Sequence, residues 1–216
     1  MARWACRLAV LGSLACAALN VDAALAQCGA PLAPEIEVRV TEPPAAYRLA
    51  APSDALSAAA ERAGTALGRG KRLLGFTLNR YERQILIVTE AAGGGCFRLR
   101  SASLAMGAYP EVLVDGRFAR GTCQQDAILA HENEHVAVFR DAVLHYAPMI
   151  DAGLREALPS SIRVATEEGA RTAYVRIVRA AVEPWLDAIR RRAQDGNDRL
   201  DTPENYVRVF RRCPSW

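Results

Sequence analysis

The stretch Ala127–Ala142 reads A-I-L-A-H-E-N-E-H-V-A-V-F-R-D-A and carries His131, Glu132 and His135 in the order His-Glu-x-x-His. The run around them is apolar-periodic. On an α-helix, residues four apart lie about 40° round and roughly 6 Å along, so both imidazoles project from one face. Held that way they can share one Zn²⁺ without bending the backbone. Glu132, next to the first histidine, then faces the open side of the ion, where it can take a proton from a metal-bound water.

Signals on either side define the helix. Thr122 followed three residues later by Gln125 is a capping-box pattern, which satisfies orphan amides at a helix start. With His131 as zero on the wheel, Ile128, His135, Val138 and Ala142 fall within about 60° of it, while Glu134, Arg140 and Asp141 fall well away. The two histidines therefore sit on the inward face. A satisfied core histidine would explain one of them; two of the chain's three histidines at metal spacing are harder to explain that way.

A zinc site needs a third protein ligand, with water in the fourth place. His145, ten residues beyond His135, would lie roughly 15 Å along an unbroken helix and cannot serve. A carboxylate from a later helix is the other solution. Glu167 lies seven residues before Tyr174 and shares its inward face, so it is the leading candidate, with Asp201 next. A carboxylate on a buried face needs a partner, and Arg171, four residues on, is the alternative to a metal.

The chain's start reads as an address. Arg3 and Arg7 precede an apolar run from Leu8 to Leu19 that is too short to span a membrane, and Ala24-Leu25-Ala26 gives a small-x-small cleavage pattern. Residues 1–26 are expected to be a signal peptide and residues 27–216 one exported domain, periplasmic or extracellular. No later run approaches transmembrane length. Removing Arg3, Arg7 and Asp22 takes the formal net charge from +3 to +2, which argues against a nucleic-acid partner. Cys6 and Cys16 leave with the signal. The remaining Cys28, Cys96, Cys123 and Cys213 are an even number in an oxidising compartment and should form two disulfides, with three pairings open.

Taken in order, Glu35–Thr41 alternates as a half-buried strand, and Pro43-Pro44 opens a loop to Pro52. Ser53 should cap a helix reaching about Leu67, stopped by Gly68 and Gly70. Gln84–Thr89 and Cys96–Arg100 read as a hairpin across Gly93-Gly94-Gly95. Glu111–Val114 is a short strand just upstream of the histidine helix, either an ordinary sheet strand or one placed where an extended peptide could add to it. Pro148 should end the long helix. A further helix should run from about Ile162 to Ala193, kinked at Pro184 and stopped by Asp195-Gly196-Asn197, before Thr202-Pro203 opens a last short one. Strands first (27–120) and helices after (121–216) make the class α+β, with a small antiparallel or mixed sheet packed against the helices.

The run D-A-I-L-A-H-E-N-E-H-V, the leader and the strand-rich first half resemble a bacterial family of predicted secreted zinc-dependent proteases of uncharacterised function. Near the C-terminus that family shows Asn-x-x-Tyr-Asp followed by His-Gly. Here Asn197–Asp201 reads N-D-R-L-D, and Tyr206 stands where the family's histidine would be. The resemblance implies a zincin-like arrangement and carries over His131, Glu132 and His135. The expected activity is hydrolysis of a peptide or protein substrate by a zinc metallopeptidase, with Glu132 as general base. The alternative is a non-catalytic envelope protein that holds a metal structurally or binds a partner.

Overall fold

The computed structural model describes Cys28, residues 32–65 and residues 72–216. The expected leader at 1–26 lies outside the described residues, as do Gly68 and Gly70, but the helix expected to reach about Leu67 already ends at Arg62, with Ala63 as its C-cap. In chain order the elements are β1 (Glu35–Thr41), β2 (Ala46–Ala51), α1 (Ser53–Arg62), β3 (Gly75–Gly93), β4 (Cys96–Asp115), α2 (Cys123–Ala157), β5 (Ser161–Arg163), α3 (Glu167–Leu200) and α4 (Pro203–Phe210).

β4 is the spine. Along one edge it pairs antiparallel with β3, from Gly75 opposite Val114 to Gly93 opposite Cys96, so the two form one long hairpin. It also pairs with β1 and β2, both parallel, and with β5, antiparallel. The class is α+β as expected, but the sheet is five-stranded rather than small, and β1 and β2 run parallel to its centre rather than antiparallel. The hairpin was expected only over its glycine end. Its other half is hidden in the sequence because Thr77, Asn79, Arg80, Glu82 and Arg83 break any apolar alternation. β2 falls where a loop was expected.

Alternation along β4 decides which side is covered. Leu99, Ala102, Leu104, Met106 and Ala108 face the long helices and join Phe139, Val143, Ile150 and Leu154 of α2 with Tyr174, Val178, Val182, Leu186 and Ile189 of α3 in one core. At its far end β4 is covered on both faces. Val112 and Val114 pack against Ile128 and Val136 of α2, and Leu113 packs against Leu56 and Ala59 of α1. Double coverage explains the unbroken apolar run Val112–Val114.

The helices are longer than punctuation suggests. α2 runs 35 residues through Pro148. An internal proline costs about 3 kcal/mol in an isolated helix, but Ile150 and Leu154 beyond it are buried at 0% and 2% exposure and hold the helix to the core. α3 likewise passes Pro184 and continues to Leu200. Gly196 is not its stop. A Cβ there would lie 2.4 Å from Val138 Cγ1, so the glycine lets α3 press its backbone onto α2. Thr122 and Thr202 cap α2 and α4 as expected, each accepting a backbone N–H three residues on.

Two disulfides close, Cys28–Cys96 and Cys123–Cys213. The second ties the first residue of α2 to the segment after α4. No helix among the described residues is long and apolar enough to cross a membrane.

Candidate metal centre and cleft

α2 is fixed at its start before it presents any chemistry. The Gln125 side chain is buried; its Nε2 donates to Leu49 O at 2.9 Å, and its Oε1 accepts from Gly121 N at 3.2 Å. The inward stripe then runs Ile128, His131, Glu132, His135, Val136, Phe139. It is wider than the wheel centred on His131 implies and takes in Glu132.

His131 and His135 are 5% and 7% exposed, and their Nε2 atoms lie 3.2 Å apart. Each is also 3.3 Å from Oδ1 of Asp201, the residue that caps the C-terminal end of α3. The three donor atoms therefore form a nearly equilateral triangle. A tetrahedral Zn²⁺ with bonds of about 2.0–2.1 Å sets its ligand atoms roughly 3.3–3.4 Å apart, so the triangle matches one face of that tetrahedron. His131, His135 and Asp201 can hold a metal ion.

The third member of the group is thus Asp201 rather than Glu167. Glu167 is the first residue of α3, and Asp201 follows its last, so about 50 Å of helix separates them. Glu167 is half exposed, ion-paired with Arg171 and hydrogen-bonded by Thr89. The Tyr174 stripe places Glu167 on the right side of α3 but says nothing about which end of α3 meets His131. That is set by α3 running antiparallel along α2. His145 is exposed, with its ring edge on Tyr146, and plays no part in the centre.

Outer contacts orient the donors. Asn197 Oδ1 lies 2.9 Å from His135 Nδ1, which as N–H donates to it and leaves Nε2 free to coordinate. Tyr206 in α4 donates to Asp201 Oδ1 at 2.8 Å, and its ring lies 5.5 Å from that of His131. His131 Nδ1 is buried without a partner among the described residues. Asn197 and Tyr206 stand inside the N-D-R-L-D-T-P-E-N-Y run, but only the packing of α3 and α4 on α2 reveals their roles.

Without an ion the cluster is strongly coupled. Burial works to lower the pKa of His135, but its hydrogen bond to Asp201, the charge of Glu132 and the Asn197 contact together push it up to about 9. Burial works to raise the Asp201 pKa, yet the bonds from both histidines and from Tyr206 hold it well below the usual carboxylate range. The Tyr206 hydroxyl is pushed up by burial and by Asp201, so it remains a donor.

Glu132 stays outside the triangle. Its Oε2 accepts from Thr77 Oγ1 on β3 at 2.7 Å. A Cβ on Gly75 would lie 2.6 Å from Glu132 Oε1 and 2.7 Å from Ile128 Cγ2, so only glycine lets the carboxylate rest against this strand. Burial raises its pKa, against the opposing pull of His135, Thr77 and His131.

A cleft of about 1380 Å³ opens over the centre, walled by Leu73–Tyr81 on one side and by the ends of α3 and α4 on the other. Of the two readings of Glu111–Val114, the ordinary sheet strand holds: it is paired on both edges, with β3 and with β2, and is not open to a peptide. The strand bordering the cleft is β3, which pairs only with β4 among the described residues. The chain matches no model of a known protein family, no curated protein and no solved structure.

Proposed function

We propose that this chain is an exported zinc metallopeptidase that cuts peptide bonds in extended substrates. The observation that carries the reading is the division of labour around His131. Three donors converge with tetrahedral spacing, while a second acidic group, Glu132, is buried beside them without joining them. A purely structural site closes its shell with four protein ligands, whereas a catalytic one keeps a position open.

A Zn²⁺ ion held there supplies a Lewis acid for the scissile carbonyl and makes a water acidic near neutrality. The protein's own groups do the rest. Glu132, its pKa raised by burial, takes a proton from the attacking water and passes it to the leaving amine nitrogen. Thr77 and the missing side chain of Gly75 fix the direction of that carboxylate. The edge of β3 that pairs with no other strand among the described residues offers backbone donors and acceptors to a substrate strand. The two disulfides suit an oxidising compartment.

Glu132→Gln tests this reading. Zinc content should stay at about one equivalent, because Glu132 is not a ligand. Cleavage of a peptide library should fall by about 10²- to 10⁴-fold with the general base gone. Undiminished cleavage by the zinc-loaded variant would rule out the mechanism.

A further inference from the structure

The cleft extends on both sides of the centre. Thr77, which touches Glu132, lies midway along the wall from Leu73 to Tyr81, whose seven strand residues Gly75–Tyr81 span roughly 20 Å. Four arginines line the same cleft: Arg62, Arg72, Arg80 and Arg190. Two of them are committed. Arg72 pairs with the buried Asp115 and bonds Ser53, and Arg190 pairs with Asp187 and bonds Tyr81. Arg62 and Arg80 are exposed and have no ion-pair partner among the described residues.

Of the four cleft carboxylates, Glu132 and Asp201 belong to the centre, Glu111 faces Arg48 at 3.8 Å, and Asp198 accepts from Gln194. The two uncommitted cations also flank the centre. Arg62 ends α1, which packs near Leu73 and Phe76 at the start of β3. Arg80 lies three residues past Thr77, roughly 10 Å further along the strand.

Resting on the peptidase reading, we propose that the cleft selects extended segments bearing acidic side chains on both sides of the bond to be cut, one met by Arg62 and the other by Arg80. A chain-end carboxylate is not the feature recognised, because Arg80 lies three residues from Thr77 along β3 and Arg62 lies on a separate element, the end of α1. The substrate is the interior of an acidic stretch. Each exposed pair should contribute about two- to fivefold, and salt should erase most of it.

The experiment uses the full protein as zinc-loaded Glu132→Gln and three labelled decapeptides. They share one sequence and carry Glu, Ala or Lys at the positions flanking the centre. By fluorescence anisotropy at low salt, the Glu peptide should bind roughly tenfold more tightly than the Ala peptide, and the Lys peptide most weakly. Arg62→Ala and Arg80→Ala should each remove about two- to fivefold of that preference with zinc content unchanged. Equal binding of the Glu and Ala peptides, or a preference untouched by both arginine variants, would overturn the proposal. Wild-type protein on the same peptides separates the two readings. Equal cleavage of all three overturns the acidic preference and leaves the peptidase intact, while arginine-dependent binding without any cleavage supports the acidic cleft and overturns the peptidase.

Discussion

The two walls of the candidate metal centre are built by different means. On the α2 wall, His131, Glu132 and His135 lie within five residues of one helix, and helical geometry alone sets their relative positions. On the facing wall, Asp201, Asn197 and Tyr206 come from a helix cap, a last helical turn and a separate short helix. Their positions depend on Gly196 pressing α3 onto Val138, and on the Cys123–Cys213 disulfide holding the segment after α4. The first wall is local and the second is tertiary. Removing groups from the second should therefore weaken metal binding while leaving the fold, whose core lies elsewhere, in place.

The largest effect tests whether the local wall is indispensable. The double change His131→Ala, His135→Ala should take zinc, measured by elemental analysis of purified protein, from about one equivalent to none. Stoichiometric zinc in that variant would remove the centre altogether. The next test sets the two ends of α3 against each other. Asp201→Ala should weaken zinc affinity by more than the 10- to 100-fold typical of losing an outer contact, whereas Glu167→Ala, which breaks only an exposed pair with Arg171, should leave it unchanged. Equal losses in a competition titration would erase the distinction between those ends. Asn197→Ala, which frees His135 Nδ1, should cost about 10- to 100-fold in affinity with the melting curve of the metal-free protein little altered.

The smallest effect is a pH dependence of the metal-free protein. Folding raises His135 from 6.5 to about 9, so its contribution to stability is complete below about pH 6.5 and is lost as pH rises through 9. Folding lowers Asp201 from 3.8, so its contribution is present above about pH 4 and is lost as pH falls further. Thermal melts in chelator should peak between about pH 4 and 6.5 and decline toward 9. Zinc must displace the proton on His135, so the extra stability it confers should grow over that same declining range. A flat metal-free profile would mean that Asp201 does not engage the histidines.

How much of this was legible from the residues follows the same division. The Thr122 cap, the inward histidines and the start of the last helix at Thr202-Pro203 are local patterns, and all are found in place. The four cysteines do pair in twos, though spacing alone left their partners open. The third donor was misplaced because Glu167 and Asp201 both present plausible carboxylates, and periodicity fixes a face of a helix without fixing which end lies over the histidines. Pro148 and Gly196 misled for a related reason. Their local cost is real, but burial of Ile150 and Leu154 offsets it at one, and close helix contact turns it to use at the other. The polar first half of β3 gave no signal because one edge of that strand serves the cleft rather than the core.

The long sequence separations within the centre also govern when it comes into being. Thr77 meets Glu132 across 55 positions, and His131 meets Asp201 across 70. Such distant pairings form late, after the loops between them have closed. A nascent or half-folded chain carries the His-Glu-x-x-His helix but neither Asp201 beside it nor the strand whose Thr77 holds the Glu132 carboxylate. The full set of donors for a metal ion therefore assembles only when folding is essentially complete.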